Sequence, residues 1–494
     1  MYRVVKKDGR FYVKKDGATR ASKSFDNEKE ANEYCEKKNK ELGISPVKEI
    51  NTPKEIKQIK KAYKKVRKNK PLVITLLVLI LLIGIAFGVC YALYPDKING
   101  LFKPVSTPTP NPTPSGADVA SGVIYDDFQI HFMMLGNDKA GDSIYIKAGD
   151  VDILIDAGSR SSSFETTKSY IDKYCTDKKL EYVIATHGDQ DHIDAFPKLL
   201  DYYKADNIIY NKYTTKTTAT YQRMLTAFEK QKAAGANVYY AEEFFNMGTI
   251  SLSSTVSMSL LYNKFYFGTE YINDKGKTKE NDDENNFSVC TMFTYTSEST
   301  SKYFMFTGDL EAEGERQMAL YYDGSTKDKT LPEVDLFKAG HHGSKTSSND
   351  CLLEIIKPKM CVVSCCCGTN EYTGITENQF PTQDFIDRIA KWTDAVYVTS
   401  IYDTYEIATK VEGENVPGVA VGGNYVKTSG SKAMNGNICV SCGLKTNDDG
   451  TKTVDIGLSC SNNDLKLKDS EWMHITITID GKERPIRKMP STWL

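Results

Sequence analysis

Hydrophobic and polar positions change their period several times along the chain. Tyr2-Arg3-Val4-Val5 and Phe11-Tyr12-Val13 flank Asp8-Gly9, a favoured hairpin turn, and Asp16-Gly17 marks a second turn. Asp26 is placed to cap a helix with Glu28 and Glu30 in its first turn, and Ala31, Tyr34, Cys35 and Leu42 then share one face. Residues 1–45 therefore predict a small ββα unit. Leu72 to Leu93 runs 22 residues without a charge, long enough to span a hydrocarbon core of about 30 Å. The Thr107-Pro108-Thr109-Pro110-Asn111-Pro112-Thr113-Pro114 run predicts stiff, extended chain. From residue 123 the pattern alternates between strand-like segments (Asp127 to Leu135, Val151 to Ile155, Glu181 to Ala185, Asn207 to Tyr210, Phe287 to Thr294, Tyr303 to Thr307, Val334 to Ala339) and helix-like ones such as Tyr221 to Ala233. That alternation suits an α/β (α+β) αββα sandwich. Five parts follow: the ββα unit 1–45, a basic segment 46–70, a transmembrane helix 71–94, a Pro/Thr-rich linker 95–122 and a body 123–494 with a β-rich tail.

Charge sharpens this division. Residues 1–70 hold 22 Lys/Arg against 10 Asp/Glu, a net of +12, which leaves −14 for the rest of a chain whose formal total is −2. Eight Lys/Arg lie in residues 56–70, directly before the apolar run. Positive charge on that side predicts a cytoplasmic N-terminus, a single uncleaved membrane span and an extracytoplasmic body. The acidic body argues against a long basic track for nucleic acid, because phosphate neutralisation dominates such binding. Of twelve cysteines, ten lie in the body. Cys439 and Cys442 have the spacing of a metal or disulfide pair but lack a matched second pair for a zinc ribbon.

Candidate chemistry concentrates in Thr186-His187-Gly188-Asp189-Gln190-Asp191-His192, a polar loop released by the apolar run Glu181 to Ala185. It offers four metal-ligating side chains within six residues, and imidazole with carboxylate suits Zn, Mn or Fe. The chain has six histidines, His131, His187, His192, His341, His342 and His474. Two are in this loop and two form the pair His341-His342. His131 alternates with apolar neighbours and reads as a strand residue; His474 reads as structural. Asp194 either modifies access to the loop or caps a helix from Ala195 to Tyr203, and the cap is the expected role. Cys365-Cys366-Cys367 reads as a loop, either simply packed or open to oxidation or metal.

The loop resembles the metallo-β-lactamase HxHxDH signature in an HxDxDH variant similar to the hydrolase domain of the ComEC/Rec2 competence proteins. Other marks follow in order: Gly141-Asp142-Ser143 as a weakened early turn, Ile153 to Gly158, Asn285-Asn286-Phe287-Ser288, Phe306-Thr307-Gly308-Asp309-Leu310, Lys338 to Ser347 with its HHGS core, and Tyr397-Val398-Thr399. The resemblance covers roughly residues 123–410. It implies a divalent-metal hydrolase with two ions, Zn or Mn. His187 and Asp189 would hold one; Asp191, His192 and His341 or His342 the other; Asp309 would bridge. His341 is favoured over His342 because it leaves its strand first. Asp191 and Asp309 carry the catalytic roles, and Asp156, Asn286 and Ser344 are expected to support the ligands. Residues 9–26 resemble a small bacterial family of unknown function (DUF2188-like).

Three functions follow from this reading. The first is a membrane-anchored extracytoplasmic phosphodiesterase or nuclease, with DNA a substrate that the body's net charge does not support. The second is a metallohydrolase of another ester, lactone or wall-linked phosphodiester. The third is a non-enzymatic membrane sensor.

Overall fold

A computed structural model describes residues 2–7, 10–15, 23–41, 122–298, 300–369, 376–409, 424–479 and 482–494. The chain divides into two units, Met1–Pro108 and Thr109–Leu494. The predicted basic segment, apolar span and Pro/Thr linker lie almost wholly outside the described residues. Among the described residues no helix is long and apolar enough to cross a membrane.

In the first unit, strands Tyr2–Lys7, Arg10–Lys15 and Lys23–Phe25 form an antiparallel sheet beside the helix Glu28–Glu41. The third strand corrects the ββα expectation. The predicted cap is also displaced by one residue. Asn27 Oδ1 accepts the Glu30 amide, while Asp26 is drawn into an ion pair with Arg10 at 2.7 Å. Both turns expected in this unit, Asp8-Gly9 and Asp16-Gly17, lie outside the described residues.

The second unit is built on two eight-stranded sheets. The first runs in spatial order Lys452–Cys460, Ile438–Thr446, Phe128–Phe132, Ile144–Ala148, Val151–Ile155, Lys179–Ile184, Lys204–Tyr210, Asn237–Tyr240. Its last four strands are parallel neighbours. The second runs Ile250–Ser251, Val256–Leu260, Thr291–Ser297, Thr300–Phe306, Leu336–Lys338, Cys361–Cys367, Val396–Ile401, Lys432–Ala433, and it too is parallel from Thr300–Phe306 through Val396–Ile401. The tail thus supplies two strands to the first sheet and one to the second.

Strands such as Phe128–Phe132 and Cys361–Cys367 are buried at every position. A strand covered on both faces requires this, and three clusters supply the cover. Phe128, Ile130, Phe132, Phe293, Phe304 and Phe306 fill the space between the sheets. Leu154, Val183, Phe196, Leu199 and Phe228 join the first sheet to the helices Phe164–Ile171, Phe196–Tyr202 and Ala219–Ala233. Phe337, Val363, Leu352, Phe385 and Met318 join the second to Ala312–Tyr321, Asp350–Ile356 and Gln383–Ile389. Helix, sheet, sheet, helix is the αββα order expected from the sequence.

Several local expectations are corrected. Cys365, Cys366 and Cys367 are buried in a strand rather than placed in a loop, and burial raises the Cys366 and Cys367 thiols. All ten body cysteines are free thiols. The helix after Asp194 is Phe196–Tyr202 with no side-chain cap. Asp194 instead accepts from the Ser161 amide, Gln190 and Arg223, pinning the segment around Ser161 to the metal-motif loop.

Phe293 is fully buried, with its ring 6.0 Å from Phe128 and 5.7 Å from Phe306. Phe293→Ala is expected to destabilise the body by about 3–5 kcal/mol through lost burial and a cavity between two rigid sheets. Urea unfolding checks this; a change below about 1 kcal/mol would show that the sheets are not joined through this ring.

Candidate metal centre

Four loops leave the carboxyl ends of strands and meet between the sheets. Asp156 follows Val151–Ile155, His187 to His192 follow Lys179–Ile184, Asp309 follows Thr300–Phe306, and His341-His342 follow Leu336–Lys338. Each pair of strands is parallel, Val151–Ile155 with Lys179–Ile184 and, in the second sheet, Thr300–Phe306 with Leu336–Lys338. Parallel pairing brings the outgoing ends side by side.

Asp156 sits at φ +58°, an uncommon left-handed conformation for a non-glycine residue. Its carboxylate accepts the Thr186 amide at 2.8 Å, the Thr186 hydroxyl at 2.7 Å and His192 Nδ1–H at 2.7 Å. The His192 ring therefore presents Nε2 as an acceptor. His342 is fixed in the same sense, donating Nδ1–H to the Ser364 carbonyl at 2.9 Å. Gly308, at φ +55°, lets the Asp309 turn pack against Thr186, where a Cβ would come within 2.9 Å of the Thr186 Cβ.

His192 Nε2 and His342 Nε2 consequently face each other at 3.2 Å. Asp309 Oδ2 lies 3.1 Å from the first and 3.3 Å from the second, and Asp191 Oδ2 lies 3.4 Å from His342 Nε2. These four residues offer ligand atoms all within 4.8 Å of one another. The site is acidic and largely buried. Asp142, Asp156, Asp191 and Asp309 contribute four carboxylates, faced by the one buried ammonium of Lys338, 2.5 Å from Asp142 and 3.8 Å from Asp309.

The electrostatics point one way. Burial opposes the charged form of His192 and of His342. The Asp309 carboxylate, with Asp156 for His192 and Asp142 for His342, outweighs it and raises both rings well above an ordinary histidine. Burial likewise opposes the Asp309 anion, but the surrounding imidazoles hold its pKa well below the usual carboxylate range. The cluster demands positive charge. A divalent cation fits this demand. Ligands on a tetrahedral ion with bonds of about 2.0–2.1 Å stand about 3.3–3.4 Å apart, close to four of the separations here, while Asp191 Oδ2 stands 4.0 Å from His192 Nε2. Asp309 Oδ1 and His187 Nε2 are buried without hydrogen-bond partners.

The adjacent imidazoles diverge. His341 (φ 44°) and His342 (φ 53°) are both left-handed, at a cost of about 1–3 kcal/mol each. This sharp reversal sends His342 into the cluster and leaves His341 at its rim, with Nε2 3.8 Å from Asp309 and Nδ1 2.9 Å from Glu311 Oε1. Beside them a cavity of about 300 Å³ is lined by Arg160, Asp189, Gln190, Asp191, Asn285, Asp309 and His341.

Comparison with known proteins follows the same outline. The metallo-beta-lactamase superfamily model matches residues 136–365. The chain carries a metallo-beta-lactamase superfamily domain. It is 24% identical over 187 residues to ComE operon protein 3 of Bacillus subtilis, covering 38% of this chain and 20% of that protein. It is 30% identical over 97 residues to Recombination protein 2 of Haemophilus influenzae, covering 20% of this chain and 10% of that one. The matches thus span a fifth or less of these relatives. Among solved structures it is similar to the metallo-beta-lactamase fold protein YhfI from Bacillus subtilis, at 12% identity and a TM-score of 0.30 over 56% of this chain and 96% of that one. It is also similar to Rm3 metallo-beta-lactamase, at 10% identity and a TM-score of 0.24 over 42% and 76%.

The residues expected from sequence fall in the cluster unequally. Asp191, His192 and Asp309 converge. His342 joins them, whereas the sequence favoured His341. His187 and Asp189 lie alongside, 3.6 Å apart. Asp156 accepts from His192 Nδ1–H. Asn286 and Ser344 do not touch the cluster. Asn286 accepts from the Gly314 amide and donates to Asn281, and Ser344 bonds Thr346. His131 is buried in its strand between Tyr170 and Gln129, away from the cluster. The sequence reading missed Lys338 and Glu311. Lys338 lies at the end of the strand Leu336–Lys338, and a lysine in an otherwise apolar strand is the available signal.

Asp156→Asn is expected to weaken divalent-metal affinity about 10–100-fold, because it loosens both the His192 ring and the Thr186 turn. Competition with a chromophoric chelator measures this. Unchanged affinity would remove Asp156 from the centre.

Proposed function

We propose that the body is an extracytoplasmic, membrane-anchored phosphodiesterase in which Asp191, His192, Asp309 and His342 hold a catalytic divalent ion, Zn or Mn. The observation that carries the reading is the set of four acceptor atoms turned on one point, with a solvent-reaching cavity beside it. A divalent ion bound there supplies Lewis acidity and makes water a nucleophile near neutral pH.

The remaining roles belong to the chain. Asp191 lies at the boundary between cluster and cavity and orients the attacking water by accepting its hydrogen bond. Arg160, on the cavity wall, meets the anionic substrate. His341 is the proton donor to the leaving oxygen. Burial opposes ionisation of Glu311, but its hydrogen bond from His341 prevails and holds the carboxyl down at about 2. An ionised Glu311 fixes His341 Nδ1–H and turns Nε2 toward the cavity. Such a positioned acid contributes about 10²–10⁴-fold to rate.

Anchoring is supported by the charge-free run Leu72 to Leu93 and the eight Lys/Arg before it. The body's net charge of about −14 favours short or wall-linked phosphodiesters, or another ester or lactone, over long nucleic acid.

The test uses the full-length chain in detergent with Mn or Zn, assayed on bis-p-nitrophenyl phosphate, single-stranded DNA, RNA, wall phosphodiesters and lactones. Hydrolysis of a phosphodiester that stops with chelation and returns with metal is expected. Hydrolysis of lactones alone, or of nothing by a metal-loaded chain, would contradict the reading. His342→Ala should lose metal and activity together. His341→Gln should keep its metal while kcat falls about 10²–10⁴-fold; loss of metal from His341→Gln would make His341 a ligand instead.

A further inference from the structure

Beside the cluster, one of the side chains expected to hold a second ion already has a cation. Lys216 Nζ forms an ion pair with Asp189 Oδ1. Asp189 is one of only two side chains that the HxDxDH loop brings to this position, the other being His187. No third imidazole arrives from the Asn285 turn, whose Asn285 side chain donates to Glu311 Oε1 at 3.1 Å. Three protein ligands is the usual minimum for a catalytic zinc. With a bridging Asp309 the count reaches three only if Asp189 is free to bind, and here that carboxylate already has its cation.

The pairing is built into the fold. Glu284 is buried, and its carboxylate accepts from the Thr214 hydroxyl at 2.8 Å, the Thr215 hydroxyl at 2.9 Å and the Thr215 amide at 2.6 Å. The same carboxylate accepts the Gly188 amide at 2.8 Å. One buried anion therefore clamps both the segment that carries Lys216 and the loop that carries Asp189. Gly188 completes the fit. A Cβ there would stand 2.5 Å from Glu284 Oε1 and 3.0 Å from Lys216 Cγ, so only glycine lets the lysine stem lie across the metal loop.

We propose that the Lys216 ammonium takes the place of a second metal ion, and that the chain binds one divalent ion, at Asp191, His192, Asp309 and His342. This revises the two-ion expectation and rests on the metal site argued above. An ammonium and a second divalent ion would compete for the same Asp189 carboxylate, so the two occupancies are exclusive.

The experiment is metal stoichiometry on the full-length chain, loaded with Mn and gel-filtered, by mass spectrometry of metal per chain and by electron paramagnetic resonance of the Mn. Wild type should carry one equivalent with the spectrum of an isolated ion. Lys216→Met, which keeps the stem and removes the charge, should carry two with a spin-coupled signal. Lys216→Arg, which keeps the charge, should carry one. Two equivalents in wild type would overturn the proposal and leave the metal-site reading standing. One equivalent in Lys216→Met would also overturn it. No metal in wild type would instead overturn the site itself.

Discussion

Two imidazole nitrogens 3.2 Å apart, both within 3.3 Å of one buried carboxylate oxygen, are all acceptors once their opposite ring nitrogens have been spent on Asp156 and Ser364. Lone pairs and negative charge meet there in a largely buried interior, where unpaired polar atoms cost most. Only positive charge settles the arrangement. Two imidazolium protons would serve in principle, yet two rings facing one carboxylate oxygen at 3.1 and 3.3 Å suit one compact divalent ion shared by all three. The strained backbone at Asp156, His341 and His342 is tolerated because the surrounding hydrogen bonds over-determine it.

The scaffold makes this convergence robust. Two sheets packed through Phe128, Phe293 and Phe306 hold four outgoing loops from their parallel strands against one another. Each loop is then tied to the next. Asp156 joins the first to the second, the Gly308 turn packs the third on Thr186, and Lys338 at the end of its strand spans Asp142 and Asp309. The ligands are thus positioned by long-range contacts between otherwise rigid elements.

This explains what was legible in the chain. The αββα order shows in the alternation of segments, and His187, Asp189, Asp191 and His192 stand out by residue type in one loop, whereas Asp309 stands out only through the family resemblance. The choice between His341 and His342 did not, because it depends on two successive left-handed residues that no hydrophobic pattern signals. Asn286 and Ser344 lie beside motifs in the sequence, but their side chains turn to Gly314 and Thr346. Asp194 looked like a cap because local sequence suggests only local partners; its real partners are Ser161, Gln190 and Arg223. Lys216, Glu284 and Glu311 act across long stretches of sequence, and only the folded chain reveals their company.

The central claim is that a divalent ion belongs between His192 and His342. Anomalous X-ray diffraction from crystals of the chain soaked in Mn or Zn, collected on either side of the metal edge, tests it most directly. The account predicts a single strong peak at about 2.0–2.2 Å from both Nε2 atoms, with Asp309 and Asp191 completing the shell. No peak at that position, with the two rings still facing each other across Asp309, would contradict it.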